Sequence, residues 1–242
     1  GDSGGATGIG GARGGGGGQA TGYVAEVMQD GPVAYWRLGE PAGASEVVSA
    51  VAGGPVGTVS GPVTLGVLGA LPGDPDTAAH FDGSSGEVIL GDHFDFAGTS
   101  AFTVEAWVFP MYLDGMNRRI LNKEPSGGGD GWDFSIASND ILRVERYVSG
   151  QEDSASRAAP PLNTWTHVVG TFDGIELCIY ANGGTPNCAT SPLVIPNTPA
   201  SLTMGNRDSD DRHFWGRLDE VAIYDYALSA TRVQAHYDAA QP

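Results

Sequence analysis

A serine, a histidine and scattered carboxylates stand in settings that chemistry could use. Gly1-Asp2-Ser3-Gly4-Gly5 frames a hydroxyl as an acyl-transfer nucleophile is framed, and Thr77-Ala78-Ala79-His80 offers a base. Such a nucleophile works only beside a preformed oxyanion hole, with its histidine oriented by a buried acid. Ser3 lies instead in a run where 12 of the first 22 residues are glycine, too flexible to hold either, so this pair is set aside. Cleaving a glycosidic bond with retention needs two carboxylates about 5–5.5 Å apart, which one strand supplies as alternating acids on one face. Glu105 stands alone in its apolar run, and Glu145 and Glu152 are too widely spaced to share a strand face. His80, His93, His167, His213 and His236 show no HxH or HxxxH spacing, so no zinc site is expected.

The two cysteines, Cys178 and Cys188, flank Asn182-Gly183-Gly184, a strong hairpin-turn signal. Folding the chain about Gly183 sets the residues five before and five after it opposite each other, which are the cysteines. A cross-strand disulfide is therefore expected in preference to two free core thiols. It would close a loop of about 11 residues, worth roughly 3 kcal/mol in the chain-entropy treatment, and it points to an oxidising compartment.

The 12 Lys+Arg against 29 Asp+Glu give a net charge of −17. That balance argues against nucleic acid, whose binding is mostly phosphate neutralisation by Lys and Arg. It also disfavours sulfated or uronic-acid-rich glycans and anionic membranes, and suits cations or neutral ligands. No run approaches the ~18 apolar residues of a membrane-spanning helix, and no charged-plus-apolar leader opens the sequence. Residues 1–22 read as a Gly-rich flexible tether, and residues 23–242 as one domain large enough to bury its own core.

The elements that must position any site are short. Runs rich in β-branched and aromatic residues recur between Gly, Asn, Asp and Pro clusters: Val33–Leu38, Ala79–Phe81, Glu87–Leu90, Phe102–Phe109, Arg118–Leu121, Trp132–Ile136, Ile141–Val148, Trp165–Phe172, Ile175–Ala181, Leu202–Gly205 and Arg217–Tyr224. They predict an all-β, antiparallel sandwich or barrel with short terminal helices at Tyr23–Met28 and, after an N-cap at Ser229, at Ala230–Ala239. Phe102–Phe109 carries bulk on both faces, as a central strand covered on both sides would. In Arg217–Tyr224, strict alternation sets Asp219 with Val221 and Ile223, opposite Leu218, Ala222 and Tyr224. A carboxylate among core positions is costly unless paired or metal-bound.

Six segments, GPVAYWRLGE (31–40), AAHFDGSSGEV (78–88), AFTVEAWVFP (101–110), TWTHVVGTFDG (164–174), ELCIYANG (176–183) and GRLDEVAIYDYALSATRVQAHY (216–237), stand in the order and spacing of LamG-like jellyroll domains. The chain thus resembles the concanavalin A-like lectin/glucanase superfamily over about residues 23–240. The resemblance implies a two-sheet jellyroll β-sandwich, one sheet concave, with ligand loops around its rim. The E-x-D-x-x-E string of the glucanase branch and the Gln/His/Tyr base strings of the alginate-lyase branch are absent, so a non-catalytic module is expected. The resemblance also implies a structural Ca²⁺ on Asp219, completed by carbonyls near Trp36–Leu38 or its lead-in at Asp30, and near Asp82–Gly86. The alternative is that Arg37, Arg217 or backbone amides neutralise Asp219. Asn206, Asp208 and Asp210 have the spacing of a calcium loop but lack its following Gly and distant Glu, so a solvated rim loop is the reading preferred. The opening run is similar to the tether behind the lipidated cysteine of bacterial lipoproteins, which places the domain outside the cell or at its surface with a lipid anchor upstream of Gly1.

Modules for neutral sugars stack exposed aromatic faces and grip hydroxyls with amides and carboxylates. Trp36, Trp107 and Trp165 lie inside apolar strands and are expected in the core. Trp132, Trp215 and Tyr147 follow or end at loops, and if those ends meet they make a site bordered by Asp130, Arg146, Asp208 and Asp210. The alternative is that Trp132 and Trp215 plug the ends of the sandwich. The function expected is a calcium-stabilised extracellular binding module for carbohydrate or a surface protein. The competing classes are a structural unit that self-associates and a glycoside hydrolase or polysaccharide lyase.

Overall fold

The computed structural model describes residues 22–125, 129–207 and 212–241. Ser3 and the Gly-rich segment, Gly22 excepted, lie outside the described residues, as do Asp208 and Asp210. Numbering strands in chain order, the first sheet runs β14 (Asn187–Thr190), β13 (Glu176–Ala181), β12 (Thr166–Phe172), β7 (Phe102–Pro110), β16 (Trp215–Tyr224), β5 (Thr77–Asp82), β4 (Val63–Leu68), with β1 (Ala34–Trp36) also on β16. The second runs β11 (Gln151–Ala158), β10 (Ile141–Val148), β9 (Gly131–Ala137), β8 (Arg118–Asn122), β15 (Leu202–Met204), β6 (Glu87–Gly91), β3 (Gly57–Ser60), β2 (Glu46–Val47). Neighbouring strands pair antiparallel, as the sandwich reading requires.

The eleven expected strands are present. Five were not foreseen, and four of those, β2, β4, β11 and β14, are the outermost strands of their sheets. An edge strand has one partner and a wet side, so it shows little apolar alternation.

The main core lies between the sheets, and β7 shows how alternation builds it. Phe102, Val104, Ala106 and Val108 face inward, while Trp107 belongs to a second cluster on the outer side of the first sheet. Helices α1 (Gly22–Gln29) and α2 (Ala230–Ala239) cover that outer face, burying Tyr23, Val24, Val27 and Val233. Ser229 caps α2 by accepting the Arg232 amide at 3.4 Å. Cys178 and Cys188 sit opposite each other on β13 and β14 and are joined as a disulfide.

One face assignment is corrected. A bulge in β16 opposite β7, with Glu220 at φ 52°, turns Leu218, Val221 and Ile223 all toward the inter-sheet core. Asp219, opposite Trp107, and Glu220, bonded to Tyr35, lie instead with the outer layer beneath the helices. An extra residue breaks strict alternation, so the carboxylate escapes the core.

Candidate functional site: a cleft on the second sheet

The helices pack on the first sheet, so they leave the outer face of the second sheet uncovered. On β9, Trp132, Phe134 and Ile136 point into the core, leaving Asp133 and Ser135 on the outer face. On β10, Leu142 and Val144 point inward, and Arg143, Glu145 and Tyr147 outward. Register then sets Glu145 opposite Asp133, and Arg143 opposite Ser135. Above these residues opens a cleft of about 560 Å³ lined by Arg119, Arg143, Arg207 and Arg212, by Glu124 and Glu152, and by Asn117, Tyr147 and Ser149. At the start of β9, Gly131 at φ 146° passes so close to Lys123 that a Cβ would stand 2.1 Å from that carbonyl.

The polar groups are held by one another. Arg119 is fully buried and bonds Asp133 through Nη1, with Glu124 at 3.4 Å and Glu145 at 3.7 Å. Arg207 Nη1 reaches Glu124 at 2.9 Å, and Arg143 Nη1 reaches Glu145 at 2.7 Å. The Tyr147 hydroxyl donates to Glu145 at 2.8 Å. Burial, then Asp133, pushes the Glu145 carboxyl well above the usual carboxylate range, against the pull of Arg143. The same burial raises the Tyr147 hydroxyl. The Nε–H groups of Arg119 and Arg143 are buried without a partner.

Not all the expected site residues meet here. Tyr147 lines the cleft, and Asp130 stands at its border, accepting the Ser149 amide at 2.7 Å. Trp132 does not contribute: it is fully buried against Phe96 and Phe102, its indole donating to the Phe94 carbonyl at 2.8 Å. Arg146, opposite Trp132 in register, also faces away from the cleft, over the Phe172 ring at 3.8 Å and donating to the Gly98 and Leu193 carbonyls. Strand alternation is the reason for both corrections, because a residue at either position must share the inward face of Phe134 and Val144. Trp215 opens β16 in the other sheet, 38% exposed, its ring 4.8 Å from that of Tyr112. Arg119, Arg143, Glu124 and Arg207 were missed, although the alternation of Asp133 and Ser135 with Trp132, Phe134 and Ile136 already assigned a polar outer face.

A laminin-G-type profile described as the concanavalin A-like lectin/glucanases superfamily matches residues 82–234, well over half of the chain. The chain belongs to this superfamily. No curated protein matches the sequence. Among solved structures, the binding domain of Paraclostridial Mosquitocidal Protein 1 superposes with a TM-score of 0.70 at 16% identity, over 87% of this chain and 52% of that one. Domain 4 of AbnA, a GH43 extracellular arabinanase from Geobacillus stearothermophilus in complex with arabinotriose, gives 0.66 at 20% identity, over 87% and 98%. The binding domain of Botulinum Neurotoxin DC in complex with SialylT gives 0.67 at 14% identity, over 88% and 52%. The chain spans about half the length of the toxin binding domains and nearly all of the arabinanase domain. At these identities the likeness shows the jellyroll fold.

The resemblance implies calcium on Asp219 with carbonyls near Trp36–Leu38 or its lead-in at Asp30 and near Asp82–Gly86, and the structure corrects the part given to the Asp30 and Asp82 side chains. Asp30 accepts from Arg232 Nε at 2.7 Å and meets His236 Nε2 at 3.0 Å. Asp82 lies at the opposite end of β5, across from Trp215, and folds onto the Ser84 amide at 3.0 Å. The three carboxylates therefore do not converge. Asp219 accepts the Ala70 amide at 2.7 Å and the Glu220 amide at 2.9 Å, and burial, then Glu220, raises its carboxyl. Arg37 pairs with Asp74 at 2.8 Å, Asp76 at 3.0 Å and Glu220 at 2.8 Å. Among the described residues no three His, Cys, Asp or Glu side chains are placed to hold a metal alone. The donors that fit a hard cation are the Asp219 carboxylate and main-chain oxygens. Asp219 Oδ2 and the Asp76 carbonyl lie 2.9 and 3.0 Å from the point where a Cβ on Gly69 would stand, a cradle that only glycine leaves open.

Proposed function

We propose that the domain is a non-catalytic extracellular binding module that takes a saccharide in the cleft of the second sheet. The observation that carries this is the cleft itself: about 560 Å³, within the range of ligand pockets, with its lining side chains held in place by a buried ion-pair network. Structural relatives are complexes with arabinotriose, with SialylT and with rat synaptotagmin II, so the choice of a saccharide rests on the cleft and its polar lining. A non-catalytic role is favoured because the cross-strand carboxylates Asp133 and Glu145 are both fully buried beneath arginine, out of reach of a glycosidic oxygen. Calcium at Asp219, held with the Asp76 carbonyl, belongs to the reading as a purely stabilising ion: it would neutralise buried acid charge far from the cleft.

The residue 1–22 segment would display the domain from a surface, with a lipidated cysteine before Gly1 in the precursor. The test of the central claim is a glycan array probed with the full chain, wild type and Tyr147→Ala. Loss of the bound spots in the variant with an unchanged melting temperature supports the reading. Spots that persist in the variant, or an array with none, remove it.

A further inference from the structure

We propose that the exposed end of the first sheet's outer face is a second binding surface, which takes the flat side of an uncharged polysaccharide. The inference stands apart from the cleft reading and concerns the opposite sheet. The helices bury that outer face around Trp107, Val169 and Tyr224. Beyond Trp107, where β7 ends and β16 begins, the face emerges partly exposed.

Alternation and register arrange the side chains there. Leu218, Val108 and Phe81 point into the core, so Trp215 and Arg217 on β16, Phe109 on β7, and His80 and Asp82 on β5 point outward. Arg217 stands opposite Phe109 on one side and His80 on the other, and Trp215 stands opposite Asp82. Trp165, just before β12, extends the row, its ring 5.3 Å from that of Phe109. Tyr112, 46% exposed, sets its ring 4.8 Å from that of Trp215. Trp215 is also backed by Gly83, where a Cβ would stand 2.9 Å from the indole Cγ. Two adjacent rows of the sheet thus present aromatic rings in places that the strands fix.

The polar groups among these rings suit an uncharged ligand. Arg217 lies over the Phe109 ring at 5.0 Å, and its guanidinium has no ion pair or hydrogen bond among the described residues, in a chain with 29 Asp+Glu. It supplies donors, and Asp82 in the next row supplies an acceptor. Burial, then Arg217, lowers the His80 pKa, which favours the neutral imidazole. Within the two rows one cation therefore faces one anion, and the net charge of −17 repels polyanions. Aromatic faces for C–H stacking beside a guanidinium free to grip hydroxyls are the chemistry that recognises sugars. A flat strip gains by meeting several rings at once, so it takes a polymer and holds a short oligosaccharide weakly. A folded protein partner uses about 20–30 residues a side, more than a strip two rows deep supplies.

The test measures depletion of the full chain from solution by microcrystalline cellulose, chitin and insoluble mannan, at about 50 and about 500 mM NaCl. Wild type should bind at least one of them, equally at both salts. Trp215→Ala should weaken that binding about three- to tenfold with an unchanged circular dichroism spectrum, and Trp215→Phe should keep part of it. Arg217→Gln should weaken it as well. If Trp215→Ala fails to fold, Tyr112→Ala is read in its place. Binding that survives Trp215→Ala undiminished overturns the proposal, and its loss in Tyr147→Ala alone assigns the polymer to the cleft instead. Binding to none of the three polymers, or binding abolished by the higher salt, also overturns it. So does a wild-type dimer in sedimentation that Trp215→Ala dissociates, since a second copy of the chain then covers the strip.

Discussion

Glu105 and His236 meet in the buried layer beneath the terminal helices, with His236 Nδ1 3.0 Å from both carboxylate oxygens. The other imidazole nitrogen faces Asp30 at 3.0 Å, so both ring nitrogens address carboxylates. Glu105 also accepts from Tyr23 of α1 at 3.0 Å and Tyr224 of β16 at 3.1 Å, and meets His167 Nε2 at 2.6 Å. One carboxylate at the centre of β7 thus ties both helices and two neighbouring strands together. The acid that stood alone in the sequence is a structural hub.

This hub makes stability depend on pH. Burial opposes the charge on His236, but Glu105 and Asp30 outweigh it and raise its pKa. Its contribution is then complete below about pH 6.5, the unfolded value, and fades as pH rises through the raised folded value. Burial would raise Glu105, but His236 and His167 hold it well below the usual range, so its contribution fades only in strong acid. Urea unfolding of wild type and His236→Gln between about pH 5 and pH 9 should show a gap that is widest in acid and narrows upward. A gap constant with pH would mean that His236 titrates alike in the folded and unfolded chain, and a gap that narrows in acid would mean that it is neutral in the fold.

Glu105→Ala leaves two histidines and two tyrosine hydroxyls facing a void. Breaking a buried charge cluster from one side costs about 3–5 kcal/mol, which chemical denaturation will read directly. A loss under about 1 kcal/mol would show that the helices are held by apolar packing alone.

The two tryptophans proposed together for binding should separate. Trp132→Ala empties a fully buried core position and is expected to cost about 3–5 kcal/mol. Trp215, 38% exposed against Tyr112, should cost only about 0.5 kcal/mol. Equal melting temperatures for the two variants would contradict the placement of Trp132.

Reduction of Cys178–Cys188 should lower stability by roughly 3 kcal/mol. Because β14 is an edge strand, amide exchange should rise there first. The unfolded, unreduced chain should show no thiols on titration.

If calcium occupies the Asp219 cradle, EGTA will lower the melting temperature and Asp219→Asn will abolish that response. At a free concentration 100 times the dissociation constant the ion adds about 2.7 kcal/mol. A melting temperature unchanged by EGTA removes the ion from the account.

Local patterns in the sequence determined the β class, the central β7, α2 with its Ser229 cap and the cysteine pairing, because alternation, capping and a two-glycine turn act over a few residues. Alternation also held the answer for Trp132, which a loop-based reading overrode. Tertiary structure alone decided the rest. The bulge at Glu220 moved Asp219 out of the core, and no pattern in Arg217–Tyr224 announces an extra residue. Arg119, Glu124, Arg143 and Arg207 come from three separate stretches of chain and become one cleft only through the order β10-β9-β8 and the loop after β15. Glu105 and His236, 131 residues apart, meet because α2 folds back over β7. Neighbours that distant are set by which faces must be buried together, and that is a property of the packed sheets.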